Sequence, residues 1–522
     1  MPVIDLPRPA ADPVRHPESA SAPTRSKRAI MLLLLTVFLP GGAQIVAGNR
    51  ALGRKAVTVT LSCWALLVLL LALALINRNI LISLFAQSWV QLLVVIVLMA
   101  LAVGWLLLFL NTLVLIRPKL LAPGMRGIVA GGLVLAIFAT SGILGYGAFI
   151  VNEGRNAIQS IFARGPAFAP VDGRYNILIM GGDAGSNRQG LRPDSVSLLS
   201  VDAKNGHAAM ISIPRNFQNT PFPADSPMRE VYPAGYSCGN ECIFNALYPT
   251  VEEKYAHLYP GVKNPAAQAT VEAAEGITGL KVQGYVLIDM AGFSGFIDAM
   301  GGVTVKSGGW VPYNAKKWPN STVNTHWFSP GVKEFNGKQA LWFARSRDFT
   351  TDYHRIRRQQ CLQQAMMKQF SPQTVLTRFT QIMDAGEELV ETDIPQQQLG
   401  SFLSLADKAR QTPFKSLTLG APDFGTASQK FSTYPDFGQI HTRIDELLAS
   451  TNEPPASKPT AKEGGSAKPK KPGTAAAEKT APPSTKPDGS PITEEYLVTL
   501  EQIGRRDLIS ELVMNNDQCS VP

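Results

Sequence analysis

YNILIMGGDAG, Tyr175 to Gly185, opens with an apolar run rich in Ile, Leu and Met and closes in a glycine-aspartate turn. That pattern reads as a buried β-strand whose carboxyl end presents Asp183. Two further strands follow at Val196 to Val201 and Ala208 to Ile213, joined through Lys204, Asn205 and Gly206, whose Asn-Gly pair favours a hairpin. Arg192 and Asp194 stand just before the second strand and Arg215 just after the third, so the three share one sheet edge. Downstream come an alanine-rich helix at Pro265 to Thr278, a strand at Tyr285 to Ile288, and a helix at Phe293 to Met300 closed by Gly301 and Gly302. Strands and helices interleaved in this way predict an α/β domain, layered α-β-α around a central mixed sheet. Asp289 and Asp298 read as helix-cap and packing residues.

A second informative run begins where a helix at Lys338 to Ala344 leads into ARSRDFTTDYHRIRRQQ, Ala344 to Gln360. Ile356, Leu362, Ala365, Met366 and Phe370 repeat with a helical period, and Asp352, Arg355 and Gln359 fall on one face with Arg358 at its border. Together with Arg345 and Arg347 this concentrates planar guanidinium forks, which match phosphate oxygens two at a time. Taken alone the run also fits a solvated basic helix face. The recurrence of Asp183, Arg192, Asp194 and Arg215 beside strands weighs toward one anion-binding pocket, while Ile356, Leu362 and Met366, taken singly, read as ordinary core and together as the wall of an apolar channel if the ligand carries an apolar tail.

The first third of the chain has a different character. Ala56 to Ile76 and Gly127 to Val151 hold no charged residue, and each is long enough to cross about 30 Å of hydrocarbon as a helix. Asn79 to Ile116 is also uncharged and predicts an interfacial start near Ile80 to Ala86 followed by one span, Trp89 to Leu115. Ile30 to Ala47 is apolar but broken by Pro40, Gly41 and Gly42, so a re-entrant or interfacial hairpin is expected there. Arg25, Lys27, Arg28, Arg50, Arg54 and Lys55 precede the first span, and Arg117, Lys119 and Arg126 fill the loop before the last. The positive-inside rule then predicts a multi-pass membrane protein with all that follows Val151 outside. The expected organisation is a disordered tail over 1–29, a membrane region over 30–151 and a stalk over 152–174. An α/β domain over 175–448, a disordered Pro/Ala/Lys/Ser-rich linker over 451–491 and a short helical segment over 492–522 complete it.

The net charge of +9 belongs partly to those basic membrane flanks, and no helix-turn-helix or finger pattern supports a nucleic-acid partner. Of five cysteines, Cys63 lies in a span, while Cys238 and Cys242 sit close together in SCGNEC, where an oxidising exterior favours a disulfide. Pairing of Cys361 with Cys519 is left open by the sequence.

Five ordered runs, NILIMGGDAG, RPDS, ISIPRN, YVLIDMAGFSGFIDAMGGVTV and GKQALWFARSRDFTTDYHRIRRQQ, together resemble the LytR-CpsA-Psr family over roughly Tyr175 to Phe370. The several N-terminal spans resemble an actinobacterial arrangement of that family. The resemblance implies a phosphotransferase that moves a polyprenyl-linked glycopolymer from an undecaprenyl-pyrophosphate carrier onto a hydroxyl of peptidoglycan as a phosphodiester. It implies catalytic roles for Asp183, Asp194, Arg192 and Arg215, with Asp183 and Asp194 holding Mg²⁺ or Mn²⁺. It further implies that Arg345, Arg347, Arg355, Arg358 and Gln359 bind the pyrophosphate and lipid. RPDS departs from the family's usual RTDT-like run, since Pro193 removes a backbone donor. Two other readings use the same residues: a polyprenyl-pyrophosphate phosphatase with water as acceptor, and a non-catalytic sensor of envelope lipid.

Overall fold

Hydrophobic length shapes the N-terminal part of the chain and strand alternation the rest. The structure, a computed structural model, describes residues 12–85, 87–163, 165–183, 191–313, 325–369, 371, 374, 378, 381–382, 390–451 and 485–522. Two compact units divide between Gln159 and Ser160.

The first unit consists of α1 (Ala22–Phe38), α2 (Gly42–Ala47), α3 (Arg50–Phe85), α4 (Ser88–Ile116), α5 (Pro123–Ile137) and all but the last two residues of α6 (Ile143–Ile161), with α5 and α6 joined by a π-helical turn at Phe138–Gly142. Three stretches, Arg50–Ile76, Ser88–Leu120 and Pro123–Ile161, are helices long and apolar enough to cross a membrane. Several sequence expectations need correction here. Residues 22–29, expected as disordered tail, are helical, because Arg28 is buried and donates from Nε to the Val14 carbonyl (2.7 Å) and from Nη1 to the Leu115 carbonyl (3.0 Å). Leu115 is one of the last carbonyls of α4, so a residue that reads as a flanking cation serves as a tertiary cap. Ile80 to Phe85 continue α3 instead of starting an interfacial segment, since no proline or glycine interrupts the helix between Ala56 and Phe85. The stalk is helical as far as Ile161. Ile30 to Ala47 forms two helices broken at Leu39–Gly41. Gly41 has φ +97°, and a Cβ there would come within 2.5 Å of the Gly53 carbonyl.

The second unit is built on a six-stranded mixed sheet of order β10-β3-β2-β1-β4-β9. Its strands are β1 (Arg174–Asp183), β2 (Arg192–Asp202), β3 (Ala208–Ile213), β4 (Gly284–Asp289), β9 (Val390–Thr392) and β10 (Phe414–Thr418). β1 runs parallel to β4 and antiparallel to β2, and β3 is antiparallel to β2 and parallel to β10. Alternate side chains go to opposite faces. Leu178, Met180, Val196, Leu198, Ile211 and Ile213 face one core, covered by α7 (Phe244–Thr250), α8 (Pro265–Thr278) and the later helix α13 (Phe437–Ser450). Small residues let α8 lie close to the sheet: Ala267, Ala269, Ala273 and Ala274 are all fully buried. The opposite face is covered by α9 (Met290–Met300), α10 (Gly337–Arg345), α11 (Asp352–Gln369) and α12 (Leu399–Ala409). Beyond α10 and α11 lies a small sheet of order β11-β5-β8, formed by Cys519–Ser520, Val303–Ser307 and Gly331–Phe335, and beside it the pair β6 (Val311–Tyr313) and β7 (His326–Phe328).

The α-β-α layering matches the sequence reading. The two edge strands β9 and β10 are additions, each of five residues or fewer with no clear period of their own. The C-terminal segment is more than helical: α14 (Glu494–Gln502), α15 (Arg506–Leu512) and β11 pack onto this unit, and Cys519 is bonded to Cys361. Cys238 and Cys242 are joined as well. The expected linker falls mainly on 452–484, outside the described residues.

Candidate functional site

Between the second face of the sheet and the helices α9, α10 and α11 lies a cavity of about 460 Å³. Its inner wall is apolar, with Ile179, Leu199, Met210 and Val286 from the sheet and Phe293, Phe296, Leu362 and Met366 from the helices. Its polar wall carries Asp194, Asp289, Arg345, Arg347, Arg355 and Gln359. Leu362 and Met366, which singly read as ordinary core, line this cavity, whereas Ile356 is buried without lining it.

Backbone irregularity sets Asp194. Gly181 pairs with Ser195 and Gly182 with Pro193, so Asp194 is the extra residue of a β-bulge between β1 and β2. A bulge redirects a side chain and leaves the local ladder unpaired, which is where a strand tolerates proline. Pro193 thus fits the bulge that presents Asp194. Opposite, a Cβ at Gly182 would come within 2.7 Å of the Leu191 side chain, which would have to shift to admit it.

Asp194 Oδ1 accepts from Arg215 Nη1 (3.1 Å) and from Asn245 Nδ2 (2.9 Å). Burial pushes its carboxyl up, but the Arg215 charge and hydrogen bond, the Asn245 donor and the Arg355 charge together outweigh that and hold it below the usual aspartate range. Asp194 is therefore ionised at neutral pH. The other organising carboxylate is Asp352, at the start of α11. Arg355 Nη2 lies 3.1 Å from its Oδ2, and Arg215 Nε (3.7 Å) and Arg347 Nη1 (4.0 Å) approach its Oδ1. Arg355 Nη2 also donates to the Asp194 carbonyl (3.0 Å), so the two acidic centres are tied through one buried guanidinium. Burial lowers the pKa of Arg355. Gln359 is held by Nε2 donating to the Ala344 carbonyl (3.2 Å), which faces it toward Arg345 at the end of α10.

Five of the expected site residues, Asp194, Arg345, Arg347, Arg355 and Gln359, share this cavity wall, and Arg215 joins them through its carboxylate contacts. Arg192 is exposed at the start of β2, does not line the cavity, and is register partner to Asp183. The side chain of Asp183 lies outside the described residues. Arg358 is corrected outright. It is fully buried and faces away from the cavity, with Nε donating to the Phe343 carbonyl (3.1 Å), Nη1 to Asn516 Oδ1 (2.8 Å) and Nη2 to the Ser346 carbonyl. Desolvation pulls its pKa down to about 10. Its fork is occupied by backbone and cannot hold a phosphate. Asp289 caps α9 by accepting from Gly292 N (2.7 Å) and also lines the cavity, while Asp298 accepts from Gly337 N (2.7 Å) outside it.

Sequence reasoning missed two functional side chains. Asp352 was visible on the Arg355 face but not as the centre of three arginines. Asn245 carried no signal, because its link to Asp194 spans 51 residues. Among the described residues no group of three His, Cys, Asp or Glu side chains forms a metal cage. A divalent ion of the magnesium type needs only one or two carboxylates beside water and phosphate oxygens. Asp194 meets that requirement: it is ionised, and its Oδ2 has no hydrogen-bond partner among the described residues.

Comparison with known proteins adds independent findings. The model of the LytR_cpsA_psr family matches residues 156–442. Over 232 residues the chain is 29% identical to the polyisoprenyl-teichoic acid–peptidoglycan teichoic acid transferase TagU of Oceanobacillus iheyensis, covering 44% of this chain and 62% of that one. It is 26% identical over 282 residues to the protein of that name from Halalkalibacterium halodurans, covering 52% and 80%. A crystal structure of Bacillus subtilis TagV aligns with 53% of this chain and 98% of its own, at 23% identity and a TM-score of 0.37.

Proposed function

The chain belongs to the LytR-CpsA-Psr family, and on that premise we propose that its second unit transfers a glycopolymer from a polyprenyl-pyrophosphate carrier to peptidoglycan outside the cell membrane. The observation that carries this is the two-part cavity: an apolar wall continuous with a wall of Arg345, Arg347, Arg355 and Gln359. Such a space suits one molecule with an apolar tail and an anionic head. The long apolar helices of the first unit hold the chain to the bilayer in which that tail resides.

In this reading Arg345 and Arg347 grip the pyrophosphate oxygens with paired donors, while Arg355 and Arg215 stay anchored to Asp352 and Asp194. A peptidoglycan hydroxyl oxygen attacks the phosphorus that bears the glycan. A new P–O bond forms, the bond to the bridging oxygen of the pyrophosphate breaks, and polyprenyl monophosphate leaves, so the glycan ends in a phosphodiester. Charge builds on the departing phosphate, where fixed guanidinium groups stabilise it without having to reorganise. Asp194, together with Asp183, would hold magnesium, which when bound supplies further positive charge to the phosphate oxygens. Equally, Asp194 takes the proton of the attacking hydroxyl, a role its ionised state permits.

The test is transfer by the purified protein of a polyprenyl-pyrophosphate glycan to peptidoglycan oligomers, with magnesium varied. Product that appears only with the glycan acceptor supports the ligase. Release of glycan phosphate at the same rate without acceptor identifies a phosphatase. Lipid binding with no turnover under any condition identifies a sensor.

A further inference from the structure

The segment Thr485–Pro522 lies beyond the family match and lends no residue to the chemistry above, yet it meets the molecule at the anion-binding loop. A set of contacts to the loop and its neighbours defines the meeting. Arg358 links the Phe343 and Ser346 carbonyls, on either side of Arg345, to Asn516. Phe349, midway between Arg347 and Asp352, is stacked on Trp327 (centroids 5.5 Å) and covered by the Arg506 guanidinium at 4.6 Å. On α11 itself, Arg357 Nη1 pairs with Asp517 Oδ2 (3.0 Å), and Cys361 is bonded to Cys519. Trp327 is packed among Leu497, Leu500, Ile509 and Leu512 of the same segment, and its backbone N–H donates to Glu494 Oε1 (3.1 Å).

Phe349 shows why the loop needs this support. Its φ is +63°, the left-handed region that a bulky aromatic residue adopts only when its surroundings impose it. Trp327 stacks on its ring and the Arg506 guanidinium lies over it, so part of what imposes the conformation comes from the C-terminal segment. The loop it bends carries Arg345 and Arg347 at one end and Asp352 at the other. Its path sets the distance between the phosphate-gripping arginines and the carboxylate that aligns Arg215 and Arg355.

We propose that Thr485–Pro522 is a strap, fastened by Cys361–Cys519, in which Arg506 and Asn516 act as positioning residues for the Arg345–Asp352 loop and so set affinity for the anionic head of the substrate. The proposal rests on the reading of that loop as a pyrophosphate site, and the experiment separates the two. Full-length protein in detergent is prepared as Arg506→Gln, Asn516→Ala, Arg506→Lys and the double change Cys361→Ser/Cys519→Ser. Amide hydrogen exchange across residues 346–351 reads the loop directly, and calorimetric titration with geranylgeranyl pyrophosphate reads the site. Loss of one hydrogen bond or ring contact to a charged group predicts loop exchange about tenfold faster and binding about five- to tenfold weaker in Arg506→Gln and Asn516→Ala. Exchange in β1 to β3 stays unchanged, and Arg506→Lys recovers most of both effects because it keeps a cation over the ring. The cysteine double variant moves both readouts furthest. A strap that only adds stability would lower the melting temperature of these variants while leaving exchange at 346–351 and affinity at 25 °C as in the unaltered protein, and that result overturns the proposal. Faster loop exchange in the variants, with no saturable binding even to the unaltered protein, supports the brace and overturns the pyrophosphate reading of the cavity.

Discussion

Arg355 and Arg358 stand less than one turn apart on α11, yet they belong to different parts of the molecule. The front of the helix, Arg355, Gln359, Leu362 and Met366, lines the cavity and alternates between holding charge and offering apolar surface. The back, Arg357, Arg358 and Cys361, is bound to the C-terminal segment. Identical side chains thus do opposite work. Arg355 keeps a donor on the Asp352 carboxylate and the Asp194 carbonyl at the cavity wall, whereas Arg358 uses its whole fork on two backbone carbonyls and an asparagine. The difference shows that arginine density marks a site only after the occupied forks are subtracted.

Substitution on each face should separate the two roles. The largest effect belongs to the back: Arg358→Ala leaves the Phe343 and Ser346 carbonyls without their donor, and buried unpaired groups cost about 1–3 kcal/mol each. A total loss of about 3–5 kcal/mol in denaturant unfolding is expected, with little rescue by Arg358→Lys because an ammonium cannot bridge the same three partners. If Arg358→Ala folds with unaltered stability, the division of α11 into two faces is wrong. On the front, Arg345→Ala should slow transfer by about tenfold to several hundredfold, corresponding to a charged hydrogen bond of about 1.5–3 kcal/mol. Its melting temperature should barely move, since Arg345 is exposed at the end of α10.

Acid titration sharpens the same contrast. The Asp194 carboxyl is held below its ordinary value, so its stabilising contribution is complete above the unfolded aspartate value. That contribution disappears as pH falls through the lower folded value. Asp194→Asn should therefore remove on the order of 1 kcal/mol at neutral pH and flatten the acid limb of the unfolding curve below about pH 4. An acid limb identical in the two proteins would show that the Arg215 and Asn245 contacts do not hold in solution. The smallest effect is expected for Gln359→Ala, which removes one hydrogen bond to the Ala344 carbonyl. It should raise KM for the polyprenyl donor a few-fold, as about 1 kcal/mol allows, with kcat preserved.

Much of this protein could be read from residue order because the signals are local. Three apolar helices, three consecutive strands and the helix Pro265–Thr278 each announce themselves within a single window of sequence through hydrophobic period, turn chemistry or caps. The clustering of Asp194, Arg215, Arg345, Arg347, Arg355 and Gln359 was legible because four of the six lie on one short segment and the other two flank strands. What the sequence could not determine lies in contacts between distant positions. The helix period placed Arg358 at the border of the Arg355 face, and only the packing of Asn516 and of the Phe343 and Ser346 carbonyls around it decided that it points inward. The bulge that presents Asp194 needs the register of β1 against β2, and Asn245 reaches that carboxylate from another layer. The pairing of Cys361 with Cys519, across 158 residues, depends on a C-terminal strand finding the edge of β5. Local propensity carries no information about such partners. They are selected when burial removes the water that would otherwise satisfy each charged or polar group.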